Sequence, residues 1–305
     1  MIFQLNLAAI AAIAGQAAWK KTKPVIVRDV FFLPVLGFLG IIVLWWIIAL
    51  ANHELMPTPP EALIANLDYI LNPFYQQGPG NLGIGWLLIA SLRRVLIGFL
   101  LGAVVAIPLG FLIGMSRSAM LALNPIIQIF KPVSPLAWLP IALAIFNLAD
   151  PSAIFVIFIT SLWPTIINTA LGVSSVPKDY LDVARVLEMP RWRRITKIIW
   201  PASLPYIFTG LRISLGIAWL VIVAVEMLTG GIGIGFFVWD EWSRLNLSSV
   251  FLAVLVIGVT GLILNYAVGK IEELASARSR KDDGISELFI VTLVNCAREY
   301  PFSCG

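Results

Sequence analysis

VPKDYLDVARVLEMPRWRRITKIIWPASLPYIFTGLR, Val176 to Arg212, is a long polar interruption in a chain otherwise composed for lipid. On a helical wheel started at Lys178, the charged residues Lys178, Asp182, Arg185 and Glu188 gather on one side, and Tyr180, Val183, Ala184 and Leu187 gather opposite. That pattern predicts an amphipathic helix of about three turns, opened by Pro177 and ended by Pro190. RWRR at 191–194 then offers a cationic, indole-bearing edge suited to lipid headgroups, and Pro201 and Pro205 restart the chain into an apolar run. A loop built this way reads as a docking surface.

The surrounding chain decides what the loop is attached to. Over 305 residues, 59% are hydrophobic and 12% charged, and the mean hydropathy is +0.92. Soluble domains carry about 25% charged residues, so the composition predicts an all-α, polytopic transmembrane bundle. A span needs roughly 20 predominantly apolar residues. Charge-free runs at 31–50, 95–115, 152–173 and 248–269, together with 121–148, which carries Lys131, and 204–228, which carries Arg212 and Glu226, predict six spans.

Lys and Arg near span ends are retained on the cytoplasmic side. Lys20, Lys21, Lys23 and Arg28 precede the first run, Arg117 follows the second, and Lys178, Arg185, Arg191, Arg193, Arg194 and Lys197 fill the polar loop. Lys270, Arg278, Arg280 and Lys281 follow the last run, whereas 51–84 carries His53, Glu54, Glu61 and Asp68 with no Lys or Arg. These positions alternate sides, which predicts cytoplasmic N- and C-termini and a cytoplasmic polar loop. The division expected is an N-terminal cytoplasmic or interfacial segment at 1–30, a transmembrane domain at 31–275 with its polar loop at 174–203, and a cytoplasmic tail at 276–305. Residues 1–18 lack the basic start of a secretory signal and read as an interfacial helix rather than a seventh span. The net charge of +4 is spread along membrane edges and gives no support for nucleic-acid binding.

Local punctuation refines this picture. Pro59 or Pro60 opens, and Asn72-Pro73 closes, an amphipathic helix over the outer loop. Gly98, Gly102, Gly110 and Gly114 put small residues on one helix face for close packing, with a kink expected at Pro108. Pro125, Pro132, Pro135 and Pro140 predict that the first half of the third span is not a regular helix, so its backbone must be buried in protein or line a wet cavity. Thr160, Ser161, Thr165, Asn168 and Thr169 form a polar stripe around Pro164, and Thr229 to Gly235, TGGIGIG, predicts an irregular or re-entrant outer segment.

Charges inside apolar runs cost about 2.5–3.5 kcal/mol at the bilayer centre on insertion scales. Arg93, Lys131, Thr160, Asn168, Arg212 and Glu226 are therefore the candidate substrate-path residues, with Arg94 nearer a membrane edge. Cations on such a path favour a small oxyanion, and Arg can offer it a forked donor pair. The competing reading is that Arg212, Glu226 and Arg94 pair with other groups or snorkel. His53 reads as a solvated loop residue, Cys296 and Cys304 as free thiols, and no metal-ligand or nucleophile constellation is present in the sequence. No GxxxxGK[ST] stretch occurs, so energy is expected from a partner.

The polar loop resembles the EAA signature of ABC importer permeases. Asp182-Val183-Ala184 stands for the Glu-Ala-Ala opening, Glu188 occupies the glycine position, and Ile198-Ile199-Trp200-Pro201 closes where the family has Ile-x-Leu-Pro. SLRRVLIGF, KPVSPLAWLP, TSLWPTIINTALGV and LPYIFTGLRISLGIAWLVIVAVEML extend the resemblance over roughly residues 30–275. The sequence is most similar to the subfamily importing nitrate, bicarbonate, sulfonates and taurine, and within it to the cyanobacterial nitrate/nitrite and bicarbonate members. The resemblance implies a type I ABC importer permease fold in the cell inner membrane, acting without catalysis of its own. It implies a second copy of the chain, two cytoplasmic ABC ATPase subunits that bind ATP and Mg, and a periplasmic or lipid-anchored substrate-binding protein.

It further implies that Tyr180, Asp182, Val183, Ala184, Leu187 and Glu188 belong to a coupling helix seated in the ATPase. Nitrate, with nitrite, is the favoured substrate, followed by bicarbonate and then a sulfonate such as taurine. With Glu188 in place of glycine, either the turn is remodelled or the helix runs on through Met189 to Pro190. A secondary transporter or channel and a membrane enzyme are the alternatives. The first would show inverted repeats with paired broken helices, and the second a metal or nucleophile site.

Overall fold

The computed structural model describes residues 27–52, 56–76, 78 and 82–299. Among them the secondary structure is helical apart from one isolated antiparallel bridge between Gln76 and Leu82. His53, Glu54, Cys304 and the 1–18 segment lie outside the described residues. The chain divides into two compact units, Met1–Leu63 and Ile64–Gly305.

In the first unit, α1 spans Val27–Ala51. Its large apolar side chains, among them Phe32, Leu36, Leu39 and Ile47, are exposed, and Ala49 is buried. Its apolar part, Val35–Ala51, is shorter than the unbroken spans of the second unit, and its open apolar surface suits lipid or a partner helix rather than water. After it, Thr58 and Glu61 make a capping box: the Thr58 amide donates to Glu61 Oε2 at 2.8 Å as α2, Pro59–Ile64, begins. The single helix expected at 55–73 is in fact two, because α3 starts afresh at Leu67–Leu71. Asn66 breaks it. Its buried side chain accepts from Ser249 Oγ at 2.6 Å, deep in the second unit, and its backbone leaves the helical region.

The second unit is built on four helices long and apolar enough to cross a membrane: α4 (Ile84–Met115), α7 (Ala149–Ser174), the continuous Arg191–Thr229 and the Leu247–Ala275 part of α12 (Leu247–Glu299). Arg191–Thr229 comprises α9 (Arg191–Arg194), a π-helical turn at Ile195–Ile199 and α10 (Trp200–Thr229). A further span is broken. In it α5 (Arg117–Phe130) meets a 3₁₀ turn at Pro135–Trp138 and α6 (Leu139–Phe146) at 93°. Five of the six apolar runs each fall on one helix and the run at 121–148 falls on the broken pair; among the described residues four helices, or five spans with that pair, are long and apolar enough to cross a membrane.

The break in that span is later than the prolines suggested. α5 continues through Pro125, and the chain departs from helix only at 131–134, where Ser134 is extended ahead of Pro135. α4 likewise continues as one helix through Pro108. In lipid, a proline's freed carbonyl can be re-satisfied by neighbouring helices and local adjustment, so the ring does not end the helix.

The glycine face of α4 packs on α7. A Cβ added at Gly98 would sit 2.7 Å from the Ile154 carbonyl oxygen, and one at Gly110 would sit 2.5 Å from Thr169 Cβ. Gly102 and Gly114 meet Ser161 and Val173 in the same way. The backbones therefore approach as closely as sequence permits. Around this seam, Val95, Phe99, Val156, Ile157, Ala218 and Ile222 form the core shared by α4, α7 and α10. Thr165 Oγ1 and Ser214 Oγ lie 2.8 Å apart, and Ser214 Oγ donates to the Ser161 carbonyl at 2.8 Å, which ties α7 to α10.

Gly110→Leu is expected to push α4 off α7 and cost about 1–3 kcal/mol, the range for overpacking a filled interface. Thermal unfolding of the purified protein in detergent would register it as a lowered midpoint; an unchanged midpoint would contradict the seam.

Candidate functional site

The polar loop folds as α8, Lys178–Val186. Pro177 caps it with an extended backbone and Asp179 lies in its first turn, where a negative charge complements the helix dipole. Arg185 and Asp182 pair at 2.7 Å on an exposed surface, an arrangement of little energetic weight.

The end of α8 settles the question raised by Glu188. The helix does not run on to Pro190. Leu187 caps it, Glu188 adopts φ 50°, the Met189 amide donates to the Ala184 carbonyl at 3.0 Å, and the Glu188 amide donates to that of Arg185 at 3.0 Å. This is a Schellman motif with glutamate at the left-handed position that normally takes glycine. The two reciprocal hydrogen bonds hold Glu188 in a conformation that costs a non-glycine residue about 1–2 kcal/mol.

Burial corrects the wheel in one respect. Ala184, grouped with Tyr180, Val183 and Leu187, is 1% exposed. It lies on the side of α8 turned to its own chain, as does Leu181, which packs on a cluster of Val173, Val176 and Ile199. α8 has two apolar sides, one seated on this chain through a small residue and one open. The open side is Tyr180, Val183, Val186 and Leu187, and Val186, which sequence reasoning passed over, is 82% exposed. Its place at the last helical position, flanked by Arg185 and Leu187, was the available signal.

The in-span candidates separate into three places. Lys131, Thr160 and Asn168 come together around a cavity of about 480 Å³, with Ser134, Trp138 and Trp163 also in its wall. The broken span and the polar stripe meet there. Thr160, Pro164 and Asn168 recur every four residues and line the cavity, while Ser161, Thr165 and Thr169, one position on, are fully buried among the helices. The stripe is therefore two adjacent stripes. Thr160 Oγ1 and Asn168 Nδ2 donate to the backbone carbonyls of Val156 and Pro164, at 2.7 and 2.8 Å. Lys131 is exposed and, among the described residues, makes no ion pair. It brings the one cationic head to a wall otherwise neutral.

Arg212 lies elsewhere, paired with Glu272 at 2.6 Å between α10 and α12. Arg93 pairs with Asp150 at 3.2 Å, and Glu226 is buried against Arg94 at 2.7 Å. Asp150 and Ser91, which complete that group, were not singled out from sequence. An acidic residue in the first turn of an apolar helix, opposite two arginines on another, was the legible clue. Among the described residues no cluster of His, Cys, Asp and Glu could hold a metal ion.

Residues 98–280 match the family described as binding-protein-dependent transport system inner membrane component. The chain belongs to this family. Nitrate import permease protein NrtB of Synechocystis sp. is 45% identical over 248 residues, covering 81% of this chain and 90% of that protein. NrtB of Leptolyngbya laminosa is 48% identical over 224 residues, covering 73% and 80%. Bicarbonate transport system permease protein CmpB of Synechococcus elongatus is 44% identical over 240 residues, covering 78% and 86%. A chain of the inward-facing MetNI methionine ABC transporter superposes with a TM-score of 0.55 at 14% identity, covering 61% of this chain and 93% of that one. At that identity the likeness shows the fold alone, and the fold is the all-α permease bundle expected. As a member of the family the chain is a multi-pass inner-membrane transport component, with chemistry left to other subunits.

Glu188→Gly is expected to relieve the left-handed strain and stabilise the end of α8 by about 0.5–1 kcal/mol, the gain being reduced by glycine's larger unfolded-state entropy. Slower hydrogen exchange at the Met189 amide would show this. Ala184→Asp is expected to loosen α8 from its own chain, speeding exchange throughout 178–189, whereas Val186→Asp leaves those amides unchanged.

Proposed function

We propose that this chain is the permease subunit of an ATP-driven importer, that two copies enclose the path, and that nitrate, with nitrite, is the anion moved. The open apolar side of α8 carries the mechanistic part of this reading. Tyr180, Val183, Val186 and Leu187 present large apolar groups that nothing in their own chain covers, on a loop that charge bias assigns to the cytoplasm. Such a face fits a cleft in a partner. Two ATPase subunits, holding ATP and Mg, would each grip one α8, and a substrate-binding protein would deliver the anion at the opposite membrane face.

The transport cycle is then a population shift. Closure of the ATPases on ATP draws the two copies of α8 together, and the helices that flank α8 in the chain carry the change across the membrane. No bond in this chain is made or broken. The Lys131 cavity supplies what a small oxyanion needs: one cation, the Ser134 hydroxyl and the second amide N–H of Asn168 as neutral donors, and an apolar wall of Trp138 and Trp163 that strips water without trapping the ion. A single cation attracts a monovalent anion and still lets it leave.

Bicarbonate is the second reading, favoured by the 44% identity to CmpB; its chemistry as a small planar monoanion suits the same wall.

The test is uptake of ¹⁵N-labelled nitrate by proteoliposomes holding this chain with its ATPases and binding protein, with unlabelled bicarbonate as competitor. ATP-dependent nitrate accumulation supports the first reading; bicarbonate transport without nitrate uptake supports the second. Transport persisting on an ion gradient without ATP would overturn both. Lys131→Gln is expected to raise the half-saturating nitrate concentration about tenfold, equivalent to about 1.4 kcal/mol. Val186→Asp and Leu187→Asp are each expected to abolish retention of the ATPase on affinity purification while the permease itself stays folded.

A further inference from the structure

Two arginines and two carboxylates form a charge-balanced group at the end of the bundle remote from α8. Arg94 of α4 donates to Asp150 Oδ1 through Nε at 3.0 Å and Nη2 at 2.7 Å, to Glu226 Oε1 through Nη1 at 2.7 Å and to the Ile232 carbonyl at 2.6 Å. Arg93 adds a bond to the other oxygen of Asp150 at 3.2 Å. Glu226 Oε2 accepts from Ser91 Oγ at 2.8 Å and from the Gly235 amide at 3.0 Å, and the Ile234 amide donates to Ser91 Oγ at 3.0 Å. The Arg94 and Glu226 side chains are 8% and 3% exposed, while that of Asp150 is 46% exposed.

A buried ion pair is weak evidence for stability, since well-packed apolar residues of similar volume often do as well. Its information lies in what it connects. Asp150 stands in the first turn of α7, and α7 ends at Ser174, where the chain enters the α8 loop. Glu226 stands in the last turn of α10, the helix that continues without a break from Arg191, where the chain leaves that loop. One guanidinium thus joins the far ends of the two helices that flank α8. Between these ends, Gly172 packs on Tyr206 and Gly210 on Asn168, and Thr165, Ser214 and Ser161 are hydrogen-bonded at mid-height.

The glycine turn extends the connection. Ile232, Ile234 and Gly235 all bond to the group through their backbones, and a Cβ at Gly233 would collide with the Glu226 carboxylate. The start of the following helix, α11 (Ile234–Ser243), is therefore held by the same side chains that hold α7 and α10.

We propose that Arg94 is a positioning residue for transport. By bonding Asp150 and Glu226 together, it makes the far ends of the helices flanking α8 move as one body, so that a displacement of α8 reaches the glycine turn and α11. This rests on α8 being the helix that the ATPase moves. Without the clamp, α7 and α10 shift independently at that end, and ATP is spent without completing the change at the far face.

Asp150→Asn is the informative variant, because Asp150 is half-exposed and its loss leaves the buried Arg94–Glu226 pair in place. It would be examined in liposomes holding the complete importer, with nitrate uptake and ATP hydrolysis measured together and assembly followed by size-exclusion chromatography. The expected result is parental assembly and basal hydrolysis, with nitrate moved per ATP reduced about fivefold or more, and recovery in Asp150→Glu. A parental ratio in Asp150→Asn overturns the proposal. So does a loss of uptake matched by equal losses of assembly and hydrolysis, because a purely structural clamp would give that. Val186→Asp run in parallel separates the two readings: if it retains the ATPase and transports normally, the role given to α8 fails, whereas its expected defect beside a parental Asp150→Asn ratio removes the role of Arg94 alone.

Discussion

Backbone contact between α4 and α7 is the constraint on which the rest of the bundle depends. In lipid a leucine gains nothing by leaving the surface, so helix association draws on close packing and on polar groups that find one another. Gly98, Gly102, Gly110 and Gly114 supply the first, and their partners on α7 are themselves small or β-branched. With that seam closed, the neighbouring positions of α7 face α10, where buried hydroxyls join Gly172 and Gly210 in setting the separation. One helix thereby serves two neighbours by alternating its chemistry from position to position.

The same arrangement explains why a cavity is tolerated beside a close-packed seam. The broken span places Lys131 and Ser134 where backbone polar groups need either protein or water, and the third face of α7 offers Thr160 and Asn168 to the same space. Their side chains back-bond to carbonyls one turn earlier. The second N–H of Asn168 remains for an anion that enters, whereas the one proton of the Thr160 hydroxyl is already given to the Val156 carbonyl. Charge is treated differently in the two regions: at Lys131 it is left uncompensated, and at Arg94 it is neutralised within its own group.

Much of this could be read from the sequence, and the parts that could not share a cause. Apolar runs, the glycine spacing and the amphipathic loop are periodic, local signals, and each found its element. The start of α8 at Pro177 and its arginine-rich sequel were legible for the same reason, whereas its end at Val186, short of Pro190, was not. Three features depended on partners distant along the chain. Asn66 splits a predicted helix because Ser249 takes its side chain. Ala184 faces inward on the side of α8 that its own chain covers, where Leu181 packs on Val173, Val176 and Ile199. For Glu226 and Arg94 the sequence offered pairing or snorkelling without naming a partner, and only folding brings these positions, 132 residues apart, into contact. A wheel or a hydropathy window cannot see across such distances. Glu188 is a different case: the glycine position was visible, but only the paired amides of the turn decide that glutamate adopts the glycine conformation.

The π-helical turn at Ile195–Ile199 has a consequence for the geometry of the loop. A π turn holds one residue more than an α turn, and one residue amounts to about 100° of rotation along an α-helix. The arginines of α9 and the side chains of α10 thus belong to one rod but are out of phase by nearly a third of a revolution. Converting the turn to α-helix would sweep Arg191, Trp192, Arg193 and Arg194 around the rod axis with almost no change in its length. Such a conversion would be a rotation between the membrane span and the loop, distinct from any tilting or sliding of the span itself.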